Sequence, residues 1–201
     1  MICKTFDKKL IADLPVVSFP GRIIVILTAN ETERAVRYLL SVKSQPLGID
    51  TETRPSFKRG DQHLVSLLQV STPDTCFLFR LRYTGFTPAL KMFLEDTTVP
   101  KVGLSLTDDM HSLHHLGEFT PGNFIDIQNM VKEVGIEDLS LQKLYANLFR
   151  QKISKRQQLS NWDADVLTDR QKLYAATDAW ACINIYNELT RLIAEGVNCE
   201  L

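Results

Sequence analysis

The chain has 201 residues, of which 23 are lysine or arginine and 24 are aspartate or glutamate, so its formal net charge is −1 at pH 7. This length suits one domain with a sizeable hydrophobic core, and a hydrophobic content of 44% is ordinary for a globular protein. The near-neutral charge excludes a uniformly basic coat for nucleic acid, but it allows local basic patches.

The four cysteines, at positions 3, 76, 182 and 199, lie far apart and form no CxxC pair. They predict neither a zinc knuckle nor a disulfide framework, which favours a reducing compartment and a cytoplasmic location. Residues 1–17 have no long apolar core and contain acids early, so they do not resemble a secretory signal. No apolar run approaches the length of a membrane span, so we expect no membrane partner.

Strands and helices are predicted to alternate along the chain. Runs rich in β-branched and aromatic residues predict strands at 22–27, 47–53, 63–71, 75–81, 99–105 and 123–127. The third and fourth of these form a hairpin through the turn at 72–74. Helical periodicity predicts helices at 30–43, 87–96, 106–117, 128–134, 139–149 and 168–196, with an irregular, basic segment at 150–167. This order indicates one α/β domain over 1–201 with a mixed sheet.

The last predicted helix carries a carboxylate on the face marked for burial. Thr168 and Gln171 form a capping box at its start. At about 100° per residue, Tyr174 and Asp178 share one stripe with four apolar residues, Ala181, Ile185, Leu189 and Leu192. A buried carboxylate is normally paired, protonated or bound to a metal. The pattern alone leaves open an ion pair with a nearby lysine or arginine, or a position at a groove edge.

Asp50 and Glu52 form a second acidic group, in the strand pattern Gly-Ile-Asp-Thr-Glu-Thr at 48–53. Their spacing of two puts both carboxylates on the same face of a strand. Because two carboxylates on a buried strand repel each other, a divalent cation with oxygen ligands, such as magnesium or manganese, is a natural partner. An exposed strand end is the alternative.

A third acidic position lies in the predicted helix at 106–117, where Asp108 and Asp109 are adjacent. Asp109 shares its face with apolar residues, Leu106, Leu113 and Leu116, whereas Asp108 shares its face with Ser112 and His115. We therefore predict that Asp109 faces inward and Asp108 faces solvent. The three histidines nearby lack the HExxH spacing and a cysteine partner, so a polar helix face explains them better than a zinc site.

Three predicted elements thus each offer an inward carboxylate, and four acids at one point require metal. Two divalent ions about 3.5–4 Å apart would turn the four into a ligand set for in-line attack on a phosphodiester. The sequence resembles the DEDD superfamily of 3′–5′ exonucleases, in the branch that contains RNase D and the exonuclease domain of the Werner syndrome helicase. The resemblance rests on GIDTETRP at 48–55, KVGLSLTDDMHSL at 101–113 and LSNWDADVLTDRQKLYAATDAWACINIY at 159–186, and it covers about residues 22–195.

The resemblance implies a ribonuclease-H-like fold, a central mixed sheet with helices on both faces, and two Mg²⁺ or Mn²⁺ ions. It implies that Asp50 bridges both ions, that Glu52 and Asp178 complete the site of the attacking water, and that Asp109 serves the second ion largely through water. Tyr174 would orient that water or help to deprotonate it. Because Leu173 stands where the sister branch has histidine, the sequence matches the tyrosine branch.

Two basic segments flank the expected site and are candidate phosphate contacts, although such runs are often simply solvated. The candidate nucleic-acid contacts are Arg54, Lys58, Arg59, Lys152, Lys155 and Arg156. Trp162 and Phe57 are candidates for base stacking, with a core position as the alternative for Trp162.

The expected function is hydrolysis of nucleic acid from the 3′ end, releasing nucleoside 5′-monophosphates from single-stranded, 3′-recessed or 3′-overhanging substrates. Two alternatives stay open. One is an inactive nucleic-acid-binding module, which would normally lack one of the four acids. The other is an oligoribonuclease or small-molecule phosphodiesterase with a groove closed to long strands. The choice between DNA and RNA is left open by the sequence.

Overall fold

The structure, a computed structural model, describes residues 2–43, 45–57 and 63–199. Its main sheet has six strands. In chain order they are β2 (Arg22–Ile26), β3 (Leu47–Thr53), β4 (Val65–Ser71), β5 (Thr75–Arg80), β6 (Lys101–Gly103) and β7 (Phe124–Asp126). A separate pair joins β1 (Val16–Val17) in parallel to β8 (Lys152–Ile153). The spatial order in the main sheet is β2-β5-β4-β3-β6-β7. The β4 pairings with β5 and β3 are antiparallel and the others are parallel, which confirms the predicted mixed sheet.

The helices connect these strands and cover the sheet. They are α1 (Ala29–Ser41), α2 (Leu81–Thr84), α3 (Pro88–Glu95), α4 (Leu106–His114), α5 (Ile127–Glu133), α6 (Leu141–Phe149) and α7 (Asp169–Ala194). A 3₁₀ helix precedes them at Lys8–Asp13. In the described part of the chain, no helix combines the length and the apolar character needed to span a bilayer.

The two faces of the sheet carry separate cores because strand residues alternate between them. Ile49 of β3 packs with residues of α1 and α3 on one face. On the other face the long helix α7 lies across β3, β4, β5 and β6. The prediction of helices on both faces is therefore confirmed.

Gly48 allows α7 to approach β3 unusually closely. A Cβ at this position would lie 1.8 Å from the carbonyl oxygen of Ala179, which is far shorter than any real contact. Glycine is therefore required here, and the backbone of α7 lies almost directly against the strand that carries Asp50.

Strand β3 is interior in the sheet, but its two sides are not equally occupied. On the β4 side the register runs from Gly48 to Thr53. On the β6 side only Leu47 and Gly48 are paired. Because β6 ends at Gly103, α4 takes its place beside the acidic end of β3.

The predicted elements match observed ones within a few residues, whereas the 3₁₀ helix, α2 and the β1–β8 pair have no predicted counterpart. The helix predicted to stop at Gly117 ends at His114. The β1–β8 pair joins residues before the first predicted strand to the segment at 150–167 that is predicted to be irregular. Strands of two residues are too short to show a hydrophobic alternation.

Candidate active site

Three carboxylates meet between β3 and α7. Asp50 and Glu52 project from the strand toward the helix, and Asp178 projects from the helix toward the strand. One ligand oxygen from each residue lies within 4.8 Å of the others. The close packing at Gly48 produces this arrangement because it leaves Asp178, one residue before Ala179, directly over the strand.

Asp178 is almost completely buried, with 6% of its surface exposed. Its Oδ1 atom has no hydrogen-bond partner. Among the described residues, no lysine or arginine forms an ion pair with this carboxylate, which excludes the ion-pair alternative for that part of the chain. A buried carboxylate oxygen with no partner is costly. Its position beside two further carboxylates fits a divalent cation, because hard cations take oxygen ligands.

The pKa values of the clustered carboxyl groups are raised, and among the described residues little positive charge lies nearby to stabilise their ionised forms. Burial raises the pKa of all three carboxyl groups and is the largest cause at each. The pKa is about 7 for Asp178 and about 9 for Glu52, and that of Asp50 lies well above its usual range. The neighbouring acids raise the pKa values of Asp50 and Glu52 further. The site without cations therefore retains protons at neutral pH, and bound cations would displace them.

Asp109 lies beside this cluster and outside its tightest part. Its carboxylate accepts a hydrogen bond from the hydroxyl of Thr51, which stands between the two strand acids and points away from them. The side chain is half-buried, and burial raises its pKa to about 6. Asp108 is exposed. The inward face of α4 therefore carries Asp109, as predicted, and the arrangement suits an indirect contact with a second cation.

The start of α4 is held by Asp126, a residue that the sequence analysis missed. Its carboxylate accepts from the backbone N–H groups of Ser105 at 3.1 Å, Leu106 at 2.9 Å and Gln128 at 2.9 Å. Ser105 has a φ of 62°, a left-handed conformation that is uncommon for a residue with a side chain. Asp126 thus caps α4 from a neighbouring strand and fixes the helix turn that carries Asp109. An aspartate between a strand and a helix is the signal that could have revealed it.

Tyr174 lies one turn before Asp178 on α7, and its hydroxyl is close enough to that carboxylate to lower the pKa of Asp178. Burial, followed by the charges of Asp178 and Glu52, raises the pKa of Tyr174 far above its usual range. The phenol therefore keeps its proton at any physiological pH.

Trp162 corrects one of our predictions. It is 0% exposed, so it offers no ring face to a nucleobase. Its ring packs against Tyr174 with centroids 5.9 Å apart, and its Nε1 donates to the carbonyl of Gln158 at 3.4 Å. The tryptophan is a core residue that supports the tyrosine, because a large aromatic side chain has more to gain from burial than from a solvent-facing position.

The predicted basic contacts divide into four groups. Lys155 and Arg156 are exposed next to Tyr174, and Lys155 is close enough to lower the pKa of Asp178. Lys152 donates to the carbonyl of Ala12 and ties the chain to its N-terminal segment. Arg54 is exposed just beyond the end of β3. Lys58 and Arg59 lie outside the described residues. The predicted aromatic contact Phe57 is 83% exposed.

A cavity of about 210 Å³ opens over the carboxylates. Its walls include Asp50, Glu52, Asp178 and Tyr174, together with Gln158 and Leu141. A second cavity of about 220 Å³ shares Tyr174, Asp178 and Gln158 and reaches Lys155. Gln158 and Leu141 could not be predicted from the sequence, since neither residue type distinguishes a cavity wall from an ordinary loop or helix position.

Comparison with solved structures confirms the ribonuclease-H-like fold. The EXO domain of Nibbler from Aedes aegypti superposes with a TM-score of 0.78 at 19% identity, over 91% of this chain and 95% of that one. RNase D from Trypanosoma brucei, solved in complex with RNA U12, gives a TM-score of 0.71 at 19% identity, over 92% of this chain and 66% of that one.

Residues 23–194 match the family model described as 3′-5′ exonuclease, and the chain belongs to that family. The mouse bifunctional 3'-5' exonuclease/ATP-dependent helicase WRN is 30% identical over 189 residues. That alignment covers 90% of this chain and 13% of the mouse protein. The resemblance derived from the motifs and the nuclease class of the enzyme are therefore confirmed.

The two adjacent aspartates of α4 give a matched pair for a test. Asp109→Asn should cost most of the nuclease activity, because the amide can still accept from Thr51 but carries no charge for a cation. Asp108→Asn should leave turnover within about tenfold, as is usual for exposed positions. Steady-state hydrolysis of a labelled strand measures both. Normal activity in Asp109→Asn would remove this residue from the site.

Proposed function

We propose that the protein is a metal-dependent exonuclease that removes nucleoside 5′-monophosphates from the 3′ end of a nucleic-acid strand with two bound Mg²⁺ or Mn²⁺ ions. The observation that carries the proposal is the group of three carboxylates around the unpartnered Oδ1 of Asp178. The family match supports the reaction type.

Under this proposal Asp50, Glu52 and Asp178 would hold one ion, and Asp50 and Asp109 would contribute to a second. Such ions supply a nucleophile at neutral pH and stabilise charge on both sides of an in-line displacement. Thr51 keeps Asp109 beside the cluster. Asp126 keeps α4 in the orientation that this contact needs.

Tyr174 acts in this proposal as a hydrogen-bond donor that orients groups and does not remove a proton. Its hydroxyl would donate to Asp178, and its strongly raised pKa makes loss of the phenol proton unfavourable. A donor fixed by i,i+4 geometry on a helix needs no rearrangement during the reaction.

The proposed partner is a single-stranded, 3′-recessed or 3′-overhanging nucleic acid. Lys155 and Arg156 are exposed beside Tyr174 and would neutralise backbone phosphates, while Phe57 would stack on a base. Arg54, Lys58 and Arg59 are further candidate phosphate contacts on the other flank. RNase D of Trypanosoma brucei binds RNA, which supports RNA as one substrate class to be tested beside DNA.

We also propose a cytoplasmic location. All four cysteines are free in the structure, which fits a reducing compartment. Fractionation of cells that produce the tagged protein tests this proposal.

The proposed activity is tested with matched single strands of DNA and RNA that carry a label at either end. A 3′-labelled strand should release labelled mononucleotide at once, whereas a 5′-labelled strand should shorten progressively. Degradation of a dinucleotide but not of a long strand would instead identify an oligoribonuclease. Binding without hydrolysis in excess Mg²⁺ and Mn²⁺ would identify an inactive binding module.

Tyr174→Phe should lower turnover by roughly 10²–10⁴, the usual scale for a positioned acid–base or orienting group, while substrate KM changes little. Tyr186→Phe, a half-buried tyrosine further along the same helix, is the matched control and should retain activity. The measurement is kcat and KM on one labelled strand. Full activity in Tyr174→Phe would assign the tyrosine to packing alone.

A further inference from the structure

A third cavity, of about 270 Å³, lies beside the carboxylate site. We call it the arginine groove and define it by Val16, Ile153, Arg156, Arg170, Leu173 and Tyr174. Tyr174 belongs to its wall and to the walls of both other cavities, so the groove adjoins the place where the proposed reaction occurs. The loop after β8 contributes Lys155 and Gln158 to one side and Arg156 to the groove.

The walls of the arginine groove are mostly apolar and partly exposed. Val16 is 62% exposed and Leu173 is 38% exposed. Leu173 precedes the catalytic candidate Tyr174 on α7, and Val16 is brought there by the pairing of β1 with β8. Apolar side chains that remain accessible within a concavity mark a ligand-binding position more often than an ordinary surface.

Two cations stand at this apolar groove. Arg156 and Arg170 are exposed, and neither side chain forms an ion pair or a hydrogen bond to an acid within residues 2–43, 45–57 and 63–199. The acid next to Arg170, Asp169, is engaged by Lys172 at 2.6 Å. Unpaired arginines beside an apolar surface suit a ligand with a flat apolar part and an anionic part, because guanidinium groups bind phosphate oxygens in a bidentate manner.

We propose that the arginine groove binds the part of the substrate strand that lies on the 5′ side of the two nucleotides flanking the cleaved bond, with one nucleobase against Val16 and Leu173 and backbone phosphates on Arg156 and Arg170. This inference rests on the proposed exonuclease function. The volume, just under the range of about 300–1,000 Å³ typical of small-molecule pockets, suits a single nucleoside. A strand long enough to reach the groove gains these contacts, whereas a dinucleotide held at the carboxylates does not.

The test compares the Arg156→Ala/Arg170→Ala variant with wild type on a dinucleotide and on a 12-nucleotide single strand. The variant should raise KM for the longer strand by about tenfold and leave kcat/KM for the dinucleotide within about twofold. The dependence of log affinity on log salt should become less steep by about 1.4, because each single-strand phosphate contact contributes about 0.7. Binding is measured by fluorescence anisotropy in an Asp178→Asn background, so that hydrolysis does not interfere.

The matched control is Arg34→Ala/Arg37→Ala, which removes the same charge from α1 on the opposite face of the sheet. It should leave KM and kcat unchanged for both substrates. Leu173→Glu tests the apolar wall separately and should weaken binding of the long strand by repelling phosphate. An equal loss on both substrates, or an effect no larger than the control's, would overturn the groove assignment while leaving the exonuclease proposal intact. Absence of hydrolysis in wild type would reject the exonuclease proposal itself, whatever the anisotropy shows.

Discussion

Asp178→Asn is expected to abolish nuclease activity, a loss of at least about 10³-fold, while the fold is preserved. The asparagine side chain has nearly the same volume, so the packing of α7 against β3 is retained. What disappears is the negative charge of a buried oxygen that has no partner of its own. Loss of one fixed electrostatic contact in a buried reaction site lowers turnover by about 10²–10³. Loss of a bound cation would lower turnover further.

The control for this variant lies on the same helix. Asp169→Asn removes a carboxylate that is exposed in the first turn and paired only with Lys172, so turnover should stay near the wild-type value. Labelled-strand hydrolysis in Mg²⁺ and in Mn²⁺ gives the activities, and circular dichroism confirms the fold. Retained turnover in a folded Asp178→Asn protein would show that the carboxylate is structural.

Removal of divalent cations is expected to stop hydrolysis completely, and to leave a protein whose stability falls as the pH rises. Burial raises the pKa to about 6 for Asp109, about 7 for Asp178 and about 9 for Glu52. In the cation-free protein the folded state therefore holds protons that the unfolded chain has already released above about pH 4. Since the folded state binds more protons, the free energy of unfolding decreases with pH over the window from about 4 to about 9.

Thermal unfolding at several pH values, with excess chelator and after restoring Mn²⁺, measures this effect. Restored cations should flatten the dependence on pH, because they compete with the protons for the same oxygens. Without cations, Asp178→Asn should melt about 5 °C or more above wild type at pH 8 to 9, since each kcal/mol shifts the midpoint by roughly 2–4 °C for a chain of this size. Hydrolysis that continues in excess chelator, or a melting temperature that does not depend on pH, would contradict the interpretation.

The secondary-structure elements and the positions of the acids could be predicted from the sequence, because both depend on short periodicities. The spacing of two at Asp50 and Glu52 specifies a shared strand face. The stripe through Asp178 specifies the buried side of α7. Capping also follows local rules: Thr168 and Gln171 form the predicted capping box, with the Thr168 backbone N–H donating to the Gln171 side chain at 3.0 Å.

The contacts that could not be predicted from the sequence join segments that lie far apart in the chain. Thr51 reaches Asp109 across 58 positions. Asp126 caps a helix that begins 20 residues earlier. The burial of Trp162 depends on the close approach of the loop to α7, and an aromatic residue in a basic segment gives no local sign of that. Such contacts follow from the end of β6 at Gly103 and from the packing at Gly48, which are properties of the assembled sheet.

The small sheet of β1 and β8 shows that the structured domain begins before the first residue of the family match. Residues 23–194 match the family, yet Val16 and Val17 lie before that span and pair with Lys152 and Ile153. Lys152 adds a bond to Ala12, so the N-terminal segment anchors the loop that bears Lys155 and Arg156. A chain cut at residue 22 would keep the carboxylates of the candidate site and lose the tether of the loop that bears Lys155 and Arg156. Residues before the matched span therefore belong in any minimal version of this protein, and substitutions there would alter the position of Lys155 and Arg156 without touching the carboxylates.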